Sequence, residues 1–88
     1  ILDAVADLLW ANPNLKLRVE AHWDNSLPEA DAQRKTTNQA NAVVGYLTAQ
    51  GLAADRFESS GIGSAKPIAP NITQRGKDQN RRVEILTR

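Results

Sequence analysis

His22, the one histidine of this 88-residue chain, and Asp24 are a pair able to pass a proton, and they stand two positions apart in the stretch AHWDN, residues 21 to 25. On an extended strand end that spacing puts both on one face. Acyl-transfer chemistry needs more, namely a serine held in a sharp elbow within reach of the imidazole. No such elbow accompanies the pair. A metal site calls for several His, Cys or acidic ligands at regular spacing, and His22 is the only histidine. The stretch GIGS (Gly61 to Ser64) lacks the third glycine and the following helix of a phosphate-binding fingerprint. Asn71 to Thr73 spell a glycosylation sequon, a short motif that matches often by chance and matters only in a secretory pathway. These residues point away from an enzyme, and no cofactor is implied.

Composition narrows the choice further. A chain of this length supports one domain with one modest core. Hydrophobic residues make up 41% and charged residues 24%, the balance of a soluble globular protein. A net charge of +1 gives no electrostatic case for nucleic acid or for an anionic membrane surface. No apolar run approaches the ~20 residues needed to cross a bilayer, and no basic-then-apolar leader opens the chain. The chain starts directly on ILDAVADLL, already in helical rhythm, which reads as a piece of something longer. The absence of cysteine excludes disulfides and thiolate metal sites.

The elements that must carry these residues follow from periodicity. Ile1, Leu2, Val5, Leu8 and Leu9 predict a helix over residues 1 to 11, stopped by Asn12-Pro13-Asn14. Leu15 to Ala21 alternate strictly, with Leu15, Leu17 and Val19 on one face and Lys16, Arg18 and Glu20 on the other. They predict a strand with one buried side. SLPE (Ser26 to Glu29) has the form of a capping box opening a helix that runs to Gln50, with Gly51 as its C-terminal stop. That helix has an apolar stripe at Ala40, Val43, Val44 and Leu47, and almost none in its first half. RFESSGIG predicts a short polar strand, and SAKPIAPN an extended loop. Thr73 is placed to cap a short helix through Gln79, and RRVEIL closes as a strand. The expected fold is a two-layer α/β (α+β) sandwich, helices packed on one face of a small sheet, with one further strand expected before Ile1.

The order and content of these motifs resemble the C-terminal domain of outer membrane protein A, the OmpA-like peptidoglycan-associated family. The family's strand ending in Gly-His-Thr-Asp reads EAHWDN here. Its Gly-hydrophobic-x-x-x-Arg reads GLAADRF, and its Pro-Ile-Ala-x-Asn reads GIGSAKPIAPN. Its Thr-x-x-Gly-Arg-x-x-Asn-Arg-Arg-Val-Glu-Ile reads TQRGKDQNRRVEI, Thr73 to Ile85. The resemblance covers nearly the whole chain, so residues 1–88 are expected to form one OmpA-like domain on a mixed sheet.

What the resemblance implies is a non-catalytic periplasmic domain that grips the diaminopimelate of the peptidoglycan stem peptide and anchors an outer-membrane or envelope protein to the wall. It implies no nucleic acid and no membrane insertion by this domain, and leaves room for envelope protein partners. The ligand's free carbon carries an ammonium and a carboxylate, so a site needs one anion and one cation held close together. The family's anion falls on Asp24. Its cation, an Arg fifteen residues further on, falls on Gln39. Gln donates from a neutral amide where Arg offers two parallel charged donors. That difference is worth roughly ten- to a hundredfold in affinity. Other positions depart too: Lys35, Thr36 and Ala32 replace the family's Leu, Ser and Asn, and Trp23 replaces its Thr. Lys35, one turn before Gln39, is a candidate replacement for the lost charge. The set expected to meet the ligand is Asp24, Asn25, Lys35, Thr36, Gln39 and Arg81.

Plainer roles compete for each residue. Asp24 in DNS is also what a turn after a strand would use, and the family pattern tips it toward binding. His22 is expected to be structural and Trp23 a rim residue. Asn80, Arg81 and Arg82 divide evenly between ligand and scaffold, the scaffold reading leaving Arg82 solvated and Arg81 bonded near Asp24. Gly61, Gly63 and Gly76 are expected to serve backbone geometry. The departures at Gln39, Ala32, Lys35 and Trp23 favour a second reading, a degenerate member kept as a structural or protein-interaction module.

Overall fold

The computed structural model describes residues 2–87. Helix α1 (Leu2–Ala11) leads to strand β1 (Leu17–His22), the long helix α2 (Glu29–Ala49), a 3-10 turn (Ala54–Arg56), β2 (Phe57–Gly63), the short α3 (Gln74–Asn80) and β3 (Arg82–Thr87). The three strands lie in the order β2-β1-β3, with β1 parallel to β2 and antiparallel to β3. The parallel pair is joined through α2, the crossover that parallel neighbours require. Ile1, expected in the first helix, lies outside the described residues. The expected two-layer fold with a mixed sheet is what forms.

Leu17, Val19 and Ala21 face the helices, as the alternation predicted. At one end Leu17 packs with Ala6 and Leu9 of α1, Leu47 of α2, Leu52 and Phe57. At the other end the core consists of Val19, Ala21 and Ala40, with Val43 and Val44 alongside. The core therefore tapers, from leucine and phenylalanine to alanine. The first half of α2 has a buried stripe after all, Ala32 and Thr36, which runs into the expected Ala40. It escaped the periodicity because its side chains are small or polar. Small residues there bring α2 close to the sheet. A Cβ on Gly61 would stand 2.3 Å from the backbone nitrogen of Thr37.

Two local expectations need correction. The strand is Leu17–His22, not Leu15 to Ala21. The carbonyl of Leu15 accepts from the Arg56 guanidinium (3.1 and 3.2 Å), which also holds the carbonyls of Leu9 and Asn12 at 2.8 and 2.6 Å. That cation at the C-terminus of α1 takes Leu15 off the ladder. The capping box does not form. Pro28 occupies the N-cap with no side-chain bond, Ser26 turns to Asp24, and Glu29 bonds the Ser64 hydroxyl. A buried carboxylate is a stronger acceptor for the serine than the helix N–H groups are a donor.

The face of β1 away from the helices was expected to be solvated, yet Glu20 and His22 are 8% and 2% exposed. Cross-strand pairing sets His22 beside Arg82 and Glu20 beside Glu84. Arg18 pairs with Glu20 at 3.1 Å, and Arg82 with Glu84 at 2.7 Å. The His22 Nε2 lies 3.3 Å from Glu84 and 3.5 Å from Glu20. Arg82 also donates to the Lys66 and Asn80 carbonyls, so it is not the solvated residue expected. Thr73 does cap α3, accepting from the Gly76 N–H at 3.0 Å.

Candidate functional site around Asp24

Asp24 follows β1 directly, and a register shift at Ala21/His22 sets its direction. There Gly61 pairs with Ala21 and Gly63 with His22, so one residue of β2 bulges out. Gly63 adopts φ +64°, and its carbonyl accepts from the Trp23 N–H at 2.8 Å, holding the chain beyond the strand. Thr36 supports the same point from α2. Its hydroxyl accepts from the Gly63 N–H at 3.0 Å and donates to the Ala32 carbonyl at 2.8 Å. Thr36 is fully buried. Its contacts all belong to the scaffold.

The Asp24 carboxylate is fully buried. Oδ1 accepts from the Ser26 N–H at 2.8 Å and from the Ser26 hydroxyl, the geometry of an Asx turn. Oδ2 accepts from the Nε of Arg81, the residue between α3 and β3. Burial pushes the Asp24 carboxyl upward. The two Ser26 bonds and the Arg81 guanidinium outweigh it and hold the group below the usual carboxylate range, so it stays ionised. The expected turn role and the expected Arg81 contact are thus both present in one cluster.

Trp23 is half-buried beside it. The Lys35 ammonium stands 4.7 Å from its ring centroid, and the Arg81 guanidinium carbon 4.8 Å. Both distances are those of cation–π attraction. The indole N–H is buried without a hydrogen-bond partner among the described residues. Lys35 is exposed, Arg81 keeps 35% of its side chain exposed, Gln39 is half-buried, and Asn25 is exposed. The structure therefore joins Asp24, Arg81 and Lys35 through Trp23, and engages Thr36 elsewhere.

Sequence reasoning missed two participants. Ser26 was assigned to the helix, although its place two residues after an Asp is the Asx-turn signature. Arg56 was read only as a motif position, although a cation just before β2 suits the open carbonyls of α1. Asn80 settles as scaffold: its amide bonds Ile68 N, Ala69 N, the Ala69 carbonyl and Asn71, so every polar valence in use fixes the loop. Among the described residues no group of three or more His, Cys, Asp or Glu could hold a metal, and no helix is long and apolar enough to cross a membrane.

Comparison with known proteins agrees with this fold. The sequence model of the OmpA family matches residues 1–81. The chain is 40% identical over 86 residues to the peptidoglycan-binding protein ArfA of Mycobacterium bovis, covering 98% of this chain and 26% of that protein. It spans about a quarter of that relative's length. The crystal structure of the peptidoglycan-associated lipoprotein from Burkholderia pseudomallei superposes with a TM-score of 0.93 at 22% identity, over 99% of this chain and 74% of that one, a likeness of fold. The cell wall anchor of the type VI secretion system (T6SS) from Pseudomonas aeruginosa matches with a TM-score of 0.85 and 29% identity, over 98% and 62%. With its motifs, its sheet order and a family match over almost its entire length, the chain belongs to the OmpA family.

Proposed function

We propose that this domain binds peptidoglycan non-covalently, through the diaminopimelate of its stem peptide, and so anchors a periplasmic or envelope protein to the cell wall. Asp24 receives the ligand's ammonium. Gln39 meets the carboxylate with a neutral donor, and Lys35 and Arg81 supply positive charge around it. Asn25 lines the outer edge, and Thr36 holds the strand end from behind. Family membership and the 40% identity to a protein named for peptidoglycan binding support the class of ligand. The observation that carries the site is the buried Asp24 carboxylate, one oxygen of which accepts from the guanidinium of partly exposed Arg81. An arriving ammonium takes the place of the Arg81 Nε. The displaced guanidinium, on a long flexible side chain, turns to the ligand's carboxylate. A polymer offering many such stem peptides compensates for weak single contacts.

The complete burial of Asp24 under Arg81 favours a second reading, a domain that has closed its pocket and serves as a structural or protein-interaction module. Titration with a soluble diaminopimelate muropeptide separates the two. Wild type binds, Asp24→Ala with an unchanged circular-dichroism spectrum does not, and Gln39→Arg binds roughly ten- to a hundredfold more tightly. A silent wild type beside a binding Gln39→Arg establishes an intact fold whose pocket has decayed, and no binding by either overturns the site assignment.

A further inference from the structure

We propose that His22 is a proton-operated latch on the site: once protonated, it takes Glu84 from Arg82 and frees the α3–β3 junction that holds Arg81 on Asp24. This rests on the peptidoglycan reading and adds a regulation to it.

The latch lies on the sheet face away from the helices. His22 pairs directly across the ladder with Arg82. Just beyond that pair, β1 runs into Trp23 and Asp24, and Arg81 leads into β3. Arg82 ties this junction down. Its Nε donates to Glu84 Oε2 at 2.7 Å, and its Nη groups donate to the carbonyls of Lys66 at 3.1 Å and Asn80 at 3.4 Å. Asn80, on the other side of Arg81, is fully buried and bonded to the loop. Arg81 therefore stands between two anchored residues.

The imidazole is placed to undo one of these anchors. It is 2% exposed, and neither ring nitrogen has a hydrogen-bond partner among the described residues. Its Nε2 lies 3.3 Å from Glu84 Oε2, the same oxygen that Arg82 holds, and 3.5 Å from Glu20 Oε1. The charges acting on the ring are Arg82 and Glu84 from β3 and Glu20 from β1, with Arg18 on the second Glu20 oxygen. From the other side of β1, β2 sets Gly63 opposite His22 and its charged Glu58 opposite Arg18. A neutral ring tolerates this arrangement. A buried imidazolium needs the carboxylates and repels the guanidinium opposite. Arg82, the longer and less buried of the two cations, gives way. The Lys66 and Asn80 carbonyls are released, and Arg81 leaves Asp24 at lower cost. The arriving ammonium meets less competition, so binding takes up a proton and tightens as pH falls through the His22 titration.

With one histidine in the chain, the ring signals titrate alone in an NMR spectrum. They are expected to move with a midpoint below 6.5, and the Arg81 Nε–H and Lys66 amide signals to move with them. Calorimetry with a diaminopimelate muropeptide is expected to show at least about threefold tighter binding at about pH 5 than at about pH 7.5. Asp24, held below the usual carboxylate range, does not titrate in that window. Glu84→Gln changes a partly exposed side chain, removes the contested charge and flattens both responses. An Arg81 signal indifferent to the His22 titration overturns the latch. Equal affinity at the two pH values, or an undiminished response in Glu84→Gln, overturns it as well. Binding at neither pH, with Arg81 still following His22, removes the peptidoglycan reading and leaves the latch standing.

Discussion

Asp24 shows how one carboxylate can serve as turn former and candidate receptor. Its Oδ1 builds the Asx turn with Ser26 and its Oδ2 holds Arg81. The carboxylate and its Arg81 partner were legible from the motifs, although 57 residues separate the two, while the Ser26 hydroxyl was missed because it was assigned to the helix cap. His22 was read as structural and is buried. Burial, then Arg82, lowers its pKa below the ordinary 6.5, against the opposing pull of Glu84 and Glu20. Both groups have folded values below their unfolded ones, so each binds protons more readily when the chain unfolds. Stability is then complete above the unfolded value and falls as pH drops toward the folded value. Urea unfolding at a series of pH values is expected to show one decline beginning near 6.5 from His22 and a second below about 4 from Asp24. Asp24→Asn removes the acid branch only, and a stability curve flat from pH 7 to 3 contradicts both assignments.

At the scale of elements, the bulge between β1 and β2 and the close approach of α2 position the site. Thr36 and Gly61 carry this. The first fixes Gly63 by a hydrogen bond, and the second lets the backbone of Thr37 come against β2. Gln33 and Asn41, one turn either side of Thr37, bond the Gly61 carbonyl and Ser59. Gly61→Ala puts a methyl into the Thr37 backbone, which cannot give way as a flexible side chain would. It is expected to destabilise the domain by at least about 1–3 kcal/mol in thermal or urea unfolding. A change within experimental error shows the contact to be slack. Helix and strand identities were legible because alternation and 3.6-residue spacing are local. The start of β1 and the cap of α2 were not, since Arg56 and Asp24 compete for those backbone and side-chain groups from elsewhere in the chain.

Across the whole molecule, leucines and a phenylalanine fill one end of the core and valine and alanine the other, so the end carrying Asp24 is thinner and closely approached by α2. Layer order and mixed sheet follow from the motifs. The taper was hidden, since Ala32 and Thr36 extend the expected stripe with side chains too small or polar to register. On the other sheet face, Arg18, Glu20, His22, Arg82 and Glu84 form a charged ladder that alternation alone assigned to solvent. The proposed site lies at the Asp24 end, where the Lys35 and Arg81 cations flank Trp23. The account stands on an ammonium exchanging for Arg81 on Asp24, and the most direct measurement alters the ligand. Calorimetry with a diaminopimelate muropeptide and a counterpart lacking only that free amino group is predicted to show heat for the first and none for the second. Equal affinities would contradict it.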